Sequence, residues 1–425
     1  MREYLLILAV GVGFISSVIV LGAPEGTASL QAVTDQITSE MQTAAIFFVP
    51  SITVAELNDS YHGVLLSPTL PEKKVRVLIV PGHQPDKGGA EYKGVYERDV
   101  VVDIADSLVA LLKQNVHYEV MVARTKEAWH PTLRAYFDTH AIEIDTFRQS
   151  QAAQMEQHIE NGNFLPQVDQ VYHNTAPIEA VLQLYGINKW ASENHYDIIL
   201  HLHLNDYAGR KAVTADSYTG FAIYVPNHQY SNAEASIAIG HAIAGRLNAY
   251  HATSTLPKED KGVVEDQELI AIGSNNSADD AALLIEYAYI YEPQFHTPSL
   301  RSLAVADYAL QTYLGLQDFF DDPLVNTYGS VSFPYNWNTV SVKMGVKGPG
   351  IYALQSALRH LGYYPPSGST FSDCPISGRV GACTVTGLKA YQRARGLPAT
   401  GTLGPKTREV LKHDLTLPET PSSVL

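Results

Sequence analysis

Four residues in this sequence have types and settings that suit metal-assisted hydrolysis. His83 follows the apolar run Val75–Val80, and Glu97 opens an amphipathic stretch shortly after it. His203 lies near the end of IILHLHLND, residues 198–206, and Glu286 stands inside LLIEYAYIYEP, residues 283–293. A catalytic zinc takes three protein ligands and keeps a fourth position for water. Two histidines and one carboxylate meet that need, and a further carboxylate is then available as a base. Each residue also has a plainer use. A histidine after a strand is often structural, and Glu97 would favour a helix N-terminus through the macrodipole. Glu286 is harder to dismiss, because a carboxylate within Leu283-Leu284-Ile285 and Tyr287-Ala288 is buried and needs a cation, a metal or a raised pKa. His201 and His203 alternate with leucines and share one face of their strand, so spacing does not choose between them.

The elements that must position these residues follow from the hydrophobic pattern. Val75–Val80 reads as a strand buried on both faces. Val100, Val101, Ile104, Leu108, Leu111 and Leu112 have helical spacing. Further strands are expected at Tyr118–Ala123, Ile198–Leu204, Phe221–Val225, Leu269–Ile272 and Leu283–Ile290. Helices are expected at Trp129–Gly162, Pro177–Asn194, Ala233–Tyr250 and Leu300–Phe320. Strands alternating with helices predict an α/β domain: a mostly parallel twisted sheet flanked by helices. In such sheets ligands bind at the carboxyl ends of the strands, where His83, His203 and Glu286 are expected.

The chain has 425 residues, 45% of them hydrophobic, and a net charge of −15. That charge argues against nucleic acid, which requires clustered Lys and Arg. Residues 1–24 read as a signal peptide or a membrane anchor: Arg2 precedes an uncharged, mostly apolar stretch from Tyr4 to Ala23, of a length between a signal-peptide core and a membrane span. The membrane would be met only through this segment, and the rest of the chain would act outside the cytoplasmic membrane. Residues 25–72 read as a stalk with order near Ala45–Val54. The only cysteines, Cys374 and Cys383, read in an exported protein as one short-loop disulfide, contributing roughly 2–3 kcal/mol. Asp321–Val340 has linker composition. Beyond it, helical stripes end at Gly362 and Gly396 and a third runs from Lys406 to Leu411. They outline a small, mainly α-helical domain at 341–413, with a tail at 414–425.

The segments VLIVPGH, GG, YERD, LHLHLND and LLIEYAYI, in that order, resemble the zinc-dependent N-acetylmuramoyl-L-alanine amidases of type 3. The resemblance covers about residues 73–320 and implies the amidase fold, related to that of phosphorylases and hydrolases. It implies one zinc ion held by His83, Glu97 and His203, with Glu286 as the catalytic carboxylate. His203 is preferred because Asn205 follows it by two places, as the family pattern has it; His201 and Asn205 would then lie beside the metal. Gln84-Pro85 replaces glycines after the first histidine, and Ala288-Tyr289 replaces a Gly-Phe after the late glutamate. The stretch 129–190 is surplus to the family pattern and reads as an added groove wall or a lid.

Residues 345–365 and 384–411 resemble a peptidoglycan-binding domain of the three-helix type, through Leu354-Gln355, Tyr391-Gln392 and the turn Gly396–Gly401. The match weakens at Phe371–Cys383, the loop that the disulfide would staple. Together the two resemblances imply an exported zinc hydrolase that cuts the amide between N-acetylmuramic acid and L-alanine in peptidoglycan. Two other readings fit the same residues: a zinc peptidase of the peptide stem, and a wall-binding regulator whose amidase domain is inactive or autoinhibited. An activator protein is not identifiable from sequence.

Overall fold

Continuous apolar runs become the inner strands of a six-stranded sheet. In this computed structural model the described residues are 48–63, 74–321 and 337–415, apart from positions 114, 169, 172, 174, 175, 208 and 372. The apolar leader, most of the expected linker and most of the tail lie outside the described residues. No helix among the described residues is long and apolar enough to cross a membrane.

The strands of the sheet are β1 Val75–Pro81, β4 Tyr118–Val122, β5 Ile198–Asn205, β6 Ala222–Pro226, β7 Val263–Asp266 and β8 Ala281–Tyr289. A separate two-residue ribbon pairs β2 (Glu91–Tyr92) with β3 (Val95–Tyr96). The sheet order is β4-β1-β5-β8-β6-β7. The first four strands run parallel, β6 is antiparallel to β8, and β7 is parallel to β6. The expected strand at Leu269–Ile272 is instead a 3-10 turn, Ile270–Ile272, stopped by Gly273 in the left-handed region. The edge position belongs to Val263–Asp266, whose two charged residues concealed it in the sequence.

Both faces of the sheet are covered, as buried parallel strands require. On one face lie α2 (Glu97–Leu112), α6 (Ala233–Leu247) and α7 (Pro298–Phe319), with Val101, Ile104, Leu108, Ile239, Ile243 and Leu316 in the core. On the other lie α3 (Pro131–Thr139), α4 (Ala141–Glu160) and α5 (Ile178–Glu193), with Leu133, Ile144, Tyr185, Ile187 and Trp190. The expected single helix from Trp129 to Gly162 is therefore two. The chain leaves helical geometry at His140 (φ −114°, ψ 19°).

The segment read as a stalk contains a helix that belongs to this core. In α1, Val54–His62, the Thr53 hydroxyl accepts from the Glu56 amide while Glu56 accepts from the Thr53 amide. This capping box fixes the helix start. Leu57 and Tyr61 are buried, and the Tyr61 ring stacks on Phe320 at 4.2 Å and on His117 at 4.4 Å.

The C-terminal helices are α8 (Pro349–His360), α9 (Ala382–Ala394) and α10 (Pro405–Asp414), around Ile351, Leu354, Leu358, Leu388 and Leu411. The two glutamines of the sequence motifs are buried loop clamps. Gln355 accepts from the Gly378 amide and donates to the Arg379 carbonyl. Gln392 accepts from the Gly401 amide and donates to the Thr402 carbonyl. Cys374 and Cys383 are joined, as expected.

Replacing Tyr61 by Ala removes a buried aromatic anchor, so chemical denaturation should show a loss of about 3–5 kcal/mol. A loss below about 1 kcal/mol would mean that α1 is not part of the folded core.

Candidate metal centre and the pocket around it

The carboxyl ends of β1 and β5 and the first turn of α2 meet at one point. β1 ends in Pro81, the Gly82 amide donates to the Leu202 carbonyl at 2.8 Å, and His83 takes a left-handed backbone, φ 67°. That conformation is uncommon for a residue with a side chain and turns the ring back over the strand ends. Arg124, 1% exposed, holds the turn from below. Its guanidinium donates to the carbonyls of Pro81, Gly82 and Arg98. Two glycines leave room for the imidazoles. A Cβ on Gly82 would come within 2.3 Å of the His203 ring, and one on Gly89 (φ 83°) within 2.8 Å of His83.

Glu97, 3% exposed, is the point of convergence. Its Oε2 accepts from the Ala90 amide at 2.7 Å and its Oε1 from the Leu204 amide at 3.0 Å. His83 Nε2 approaches Oε1 at 2.9 Å and His203 Nδ1 at 3.0 Å. Burial alone would raise the Glu97 pKa, but the two adjacent histidines reverse this and hold it well below the usual carboxylate range. Burial lowers the His203 pKa, with Glu97 opposing. His83 Nε2 is buried and has no hydrogen-bond partner, since its approach to Glu97 is not aligned for one. The ligand atoms of His83, Glu97 and His203 lie within 4.8 Å of one another. Two imidazole nitrogens and a carboxylate oxygen on rigid element ends, one nitrogen without a hydrogen bond, fit a zinc ion.

Glu286 pairs with His203 across the β5–β8 register and lines the same pocket. Its Oε2 is buried without a hydrogen-bond partner. Burial first, then the charges of Glu97, Glu259 and Asp206, raise its pKa well above the ordinary value. A carboxylate with that proton affinity at a pocket floor has the properties of a general acid–base group.

The structure separates the two histidines of β5. His203 faces the pocket, whereas His201 is 1% exposed between Val80 and Leu284. Burial, then His203, push the His201 pKa down to about 3, so it is a neutral core residue. Asn205 lines the pocket, and its amide donates to the Glu259 carboxylate at 3.2 Å. Gln84 donates to Gln183 at 2.7 Å and Lys87 pairs with Glu179 at 2.8 Å. The loop after His83 is thus tied to α5.

The pocket has a volume of about 670 Å³. Sequence reading missed several of its parts. Glu259 is 1% exposed and accepts from the hydroxyls of Tyr224 at 2.5 Å and Tyr289 at 3.3 Å. His173, paired with Asp266 at 2.7 Å, stands with Gln170 and Val171 in one wall. Glu259 lies in the charged run Lys258–Lys261, which reads as solvated surface. Arg124 directly follows a strand, where a charged residue carries no distinctive pattern.

A family profile described as N-acetylmuramoyl-L-alanine amidase matches residues 77–297, more than half of the chain. A second, described as a putative peptidoglycan binding domain, matches residues 347–411. No curated protein matches the chain. Among solved structures, the N-acetylmuramyl-L-alanine amidase Ami1 of Mycobacterium smegmatis is 12% identical, covers 58% of this chain and 97% of its own, and has a TM-score of 0.39. An N-acetylmuramoyl-L-alanine amidase of Clostridium difficile 630 is 17% identical, with 58% and 97% coverage and a TM-score of 0.35. The catalytic domain of CwlV from Bacillus (Paenibacillus) polymyxa is 16% identical, with 58% and 99% coverage and a TM-score of 0.35. Family membership rests on the profile that spans the strands and loops built into the pocket: the chain belongs to the N-acetylmuramoyl-L-alanine amidases and carries a peptidoglycan-binding domain after its catalytic one.

Proposed function

We propose that this amidase is a zinc enzyme acting outside the cytoplasmic membrane on the amide between the lactyl group of N-acetylmuramic acid and L-alanine. The observation that carries the reading is the convergence of His83, Glu97 and His203 beside the unpartnered Glu286 oxygen. His83, Glu97 and His203 would hold the ion, and zinc when bound supplies Lewis acidity toward a carbonyl and toward water. Glu97 contributes a negative charge already stabilised by two backbone amides. Glu286 accepts the proton of the attacking water and delivers it to the departing alanine nitrogen. The pocket's wall of Tyr218, Tyr224 and Val171 supplies apolar surface for the sugar and stem on either side of the scissile bond. Export is supported by the extracytoplasmic location of peptidoglycan and by the Cys374–Cys383 bond, which belongs to oxidising compartments.

Purified sacculi should release new L-alanine amines when digested with the zinc-loaded protein and none after chelation; no release in the zinc-loaded sample sinks the amidase reading. Glu286→Gln should retain zinc but lose turnover by roughly 10²–10⁴-fold; loss of the metal instead would make Glu286 a ligand.

The two β5 histidines give a separate test. Zinc content measured by mass spectrometry should fall to background in His203→Asn and stay at the wild-type level in folded His201→Asn. The reverse outcome would exchange their roles. Arg124→Met loosens the His83 turn, and a loss of metal affinity of about 10–100-fold is expected in competition with a chromophoric chelator.

A further inference from the structure

The peptidoglycan-binding domain packs against the end of the catalytic domain that holds the pocket. Leu300, in the first turn of α7, has no exposed surface and belongs to the apolar core of the C-terminal helices. Gly378 of the C-terminal domain lies so close that a Cβ there would come within 2.4 Å of the Leu300 side chain. Asp307, about two turns further along α7, is 2% exposed. It accepts from the Tyr352 hydroxyl of α8 at 3.2 Å and pairs with His251 of the catalytic domain at 2.8 Å. Arg359 of α8 donates to the Ala249 carbonyl at 2.5 Å and lies 4.7 Å from the Phe371 ring centroid. The space left at the seam, between Tyr250, His251 and Tyr308 on one side and Phe371, Pro375 and Ile376 on the other, is about 20 Å³. Domains move relative to one another by default unless contacts across the interface hold them, and here a shared buried apolar residue, Leu300, is combined with the buried Asp307–Tyr352 and the part-buried Arg359–Ala249 hydrogen bonds.

The position of the seam matters as much as its packing. Because β6 runs antiparallel to β8, the start of β6 sits beside Glu286. Tyr218 lines the catalytic pocket, while Thr219 and Gly220 line the seam. Glu292, just past β8, accepts from the amides of Gly220 and Tyr289 and also lines the seam. Tyr289 in turn donates to the pocket's Glu259. The loop at Phe371–Cys383, where the match to the peptidoglycan-binding family weakens, supplies Phe371, Pro375 and Ile376 to the seam. The disulfide joins this docking loop to the first turn of α9.

We infer that the C-terminal domain is held at a fixed position beside the pocket end of the catalytic domain, and that the substrate is an intact glycan strand long enough to lie across both domains. A mobile tether would only raise local concentration. A docked domain also fixes the spacing and direction between the point of attachment and the point of cutting, which favours uncut polymer over released disaccharide-stem fragments. This inference rests on the amidase reading for its substrate and on the seam for its geometry.

The test uses the full zinc-loaded chain, Leu300→Asp, which places a charge in the seam, and Arg359→Ala, which removes a polar tie without a buried charge. Small-angle scattering should fit one rigid particle for the wild type and a two-body ensemble for the released variants. The rate on sacculi should fall about tenfold on release, while the rate on a soluble disaccharide-tetrapeptide is unchanged. Wild-type scattering that requires a freely moving domain overturns the inference. So does a released variant whose sacculus-to-fragment rate ratio equals that of the wild type. If Leu300→Asp fails to fold, Arg359→Ala and the wild-type scattering still decide. A wild type that cuts neither substrate defeats the amidase reading, and the scattering then decides the docking alone.

Discussion

A buried carboxylate shared by two imidazoles organises this protein. Glu97 is nearly inaccessible, and a charge taken out of water is costly unless it is paired and hydrogen-bonded. The fold meets both conditions with four groups from three places: His83 after β1, the Ala90 amide in the loop, and the Leu204 amide and His203 from β5. These contacts explain why the Gly88-Gly89 turn must fold back tightly, why Gly82 has no side chain, and why Arg124 is buried under the turn. They also explain the nearby pocket chemistry. Burial first, and then the Glu97 charge across the pocket, raise the proton affinity of Glu286.

Much of this was legible in the sequence because the strands advertise their ends. Val75–Pro81 and Ile198–Asn205 are apolar runs, so a histidine at either end stands out. Glu286 stands out because it interrupts one. What the sequence did not disclose depends on side chains that meet only after folding. Val263–Asp266 carries two carboxylates in four residues and so lacks a strand's apolar signature, while the apolar Leu269–Ile272 coils into a turn. Arg124 and Glu259 are charged residues with no periodic signal; their burial follows from the carbonyls and hydroxyls that the fold brings to them. His201 and His203 were indistinguishable by spacing, and their difference is one of depth along the strand: His203 reaches the open end, His201 does not.

The segments outside the motif-bearing strands are part of the structure rather than attachments to it. Helices α3, α4 and α5 form the cover of one sheet face, and the loop after His83 is anchored to α5 through Gln84 and Gln183. Residues 54–62, expected as part of a stalk, supply Tyr61 to the core. The C-terminal domain shares Leu300 with the catalytic domain. The result is a pocket whose walls come from the sheet ends, the connection between α4 and α5 that carries Gln170, Val171 and His173, and the segment around Leu256–Glu259.

The most direct measurement is X-ray absorption at the zinc edge of the purified, zinc-loaded chain. The expected result is one ion with two imidazole nitrogens at about 2.0–2.1 Å and carboxylate or water oxygen completing the shell. A shell made of oxygen alone, or a folded chain that binds no zinc, would contradict the assignment of His83, Glu97 and His203 as the metal site.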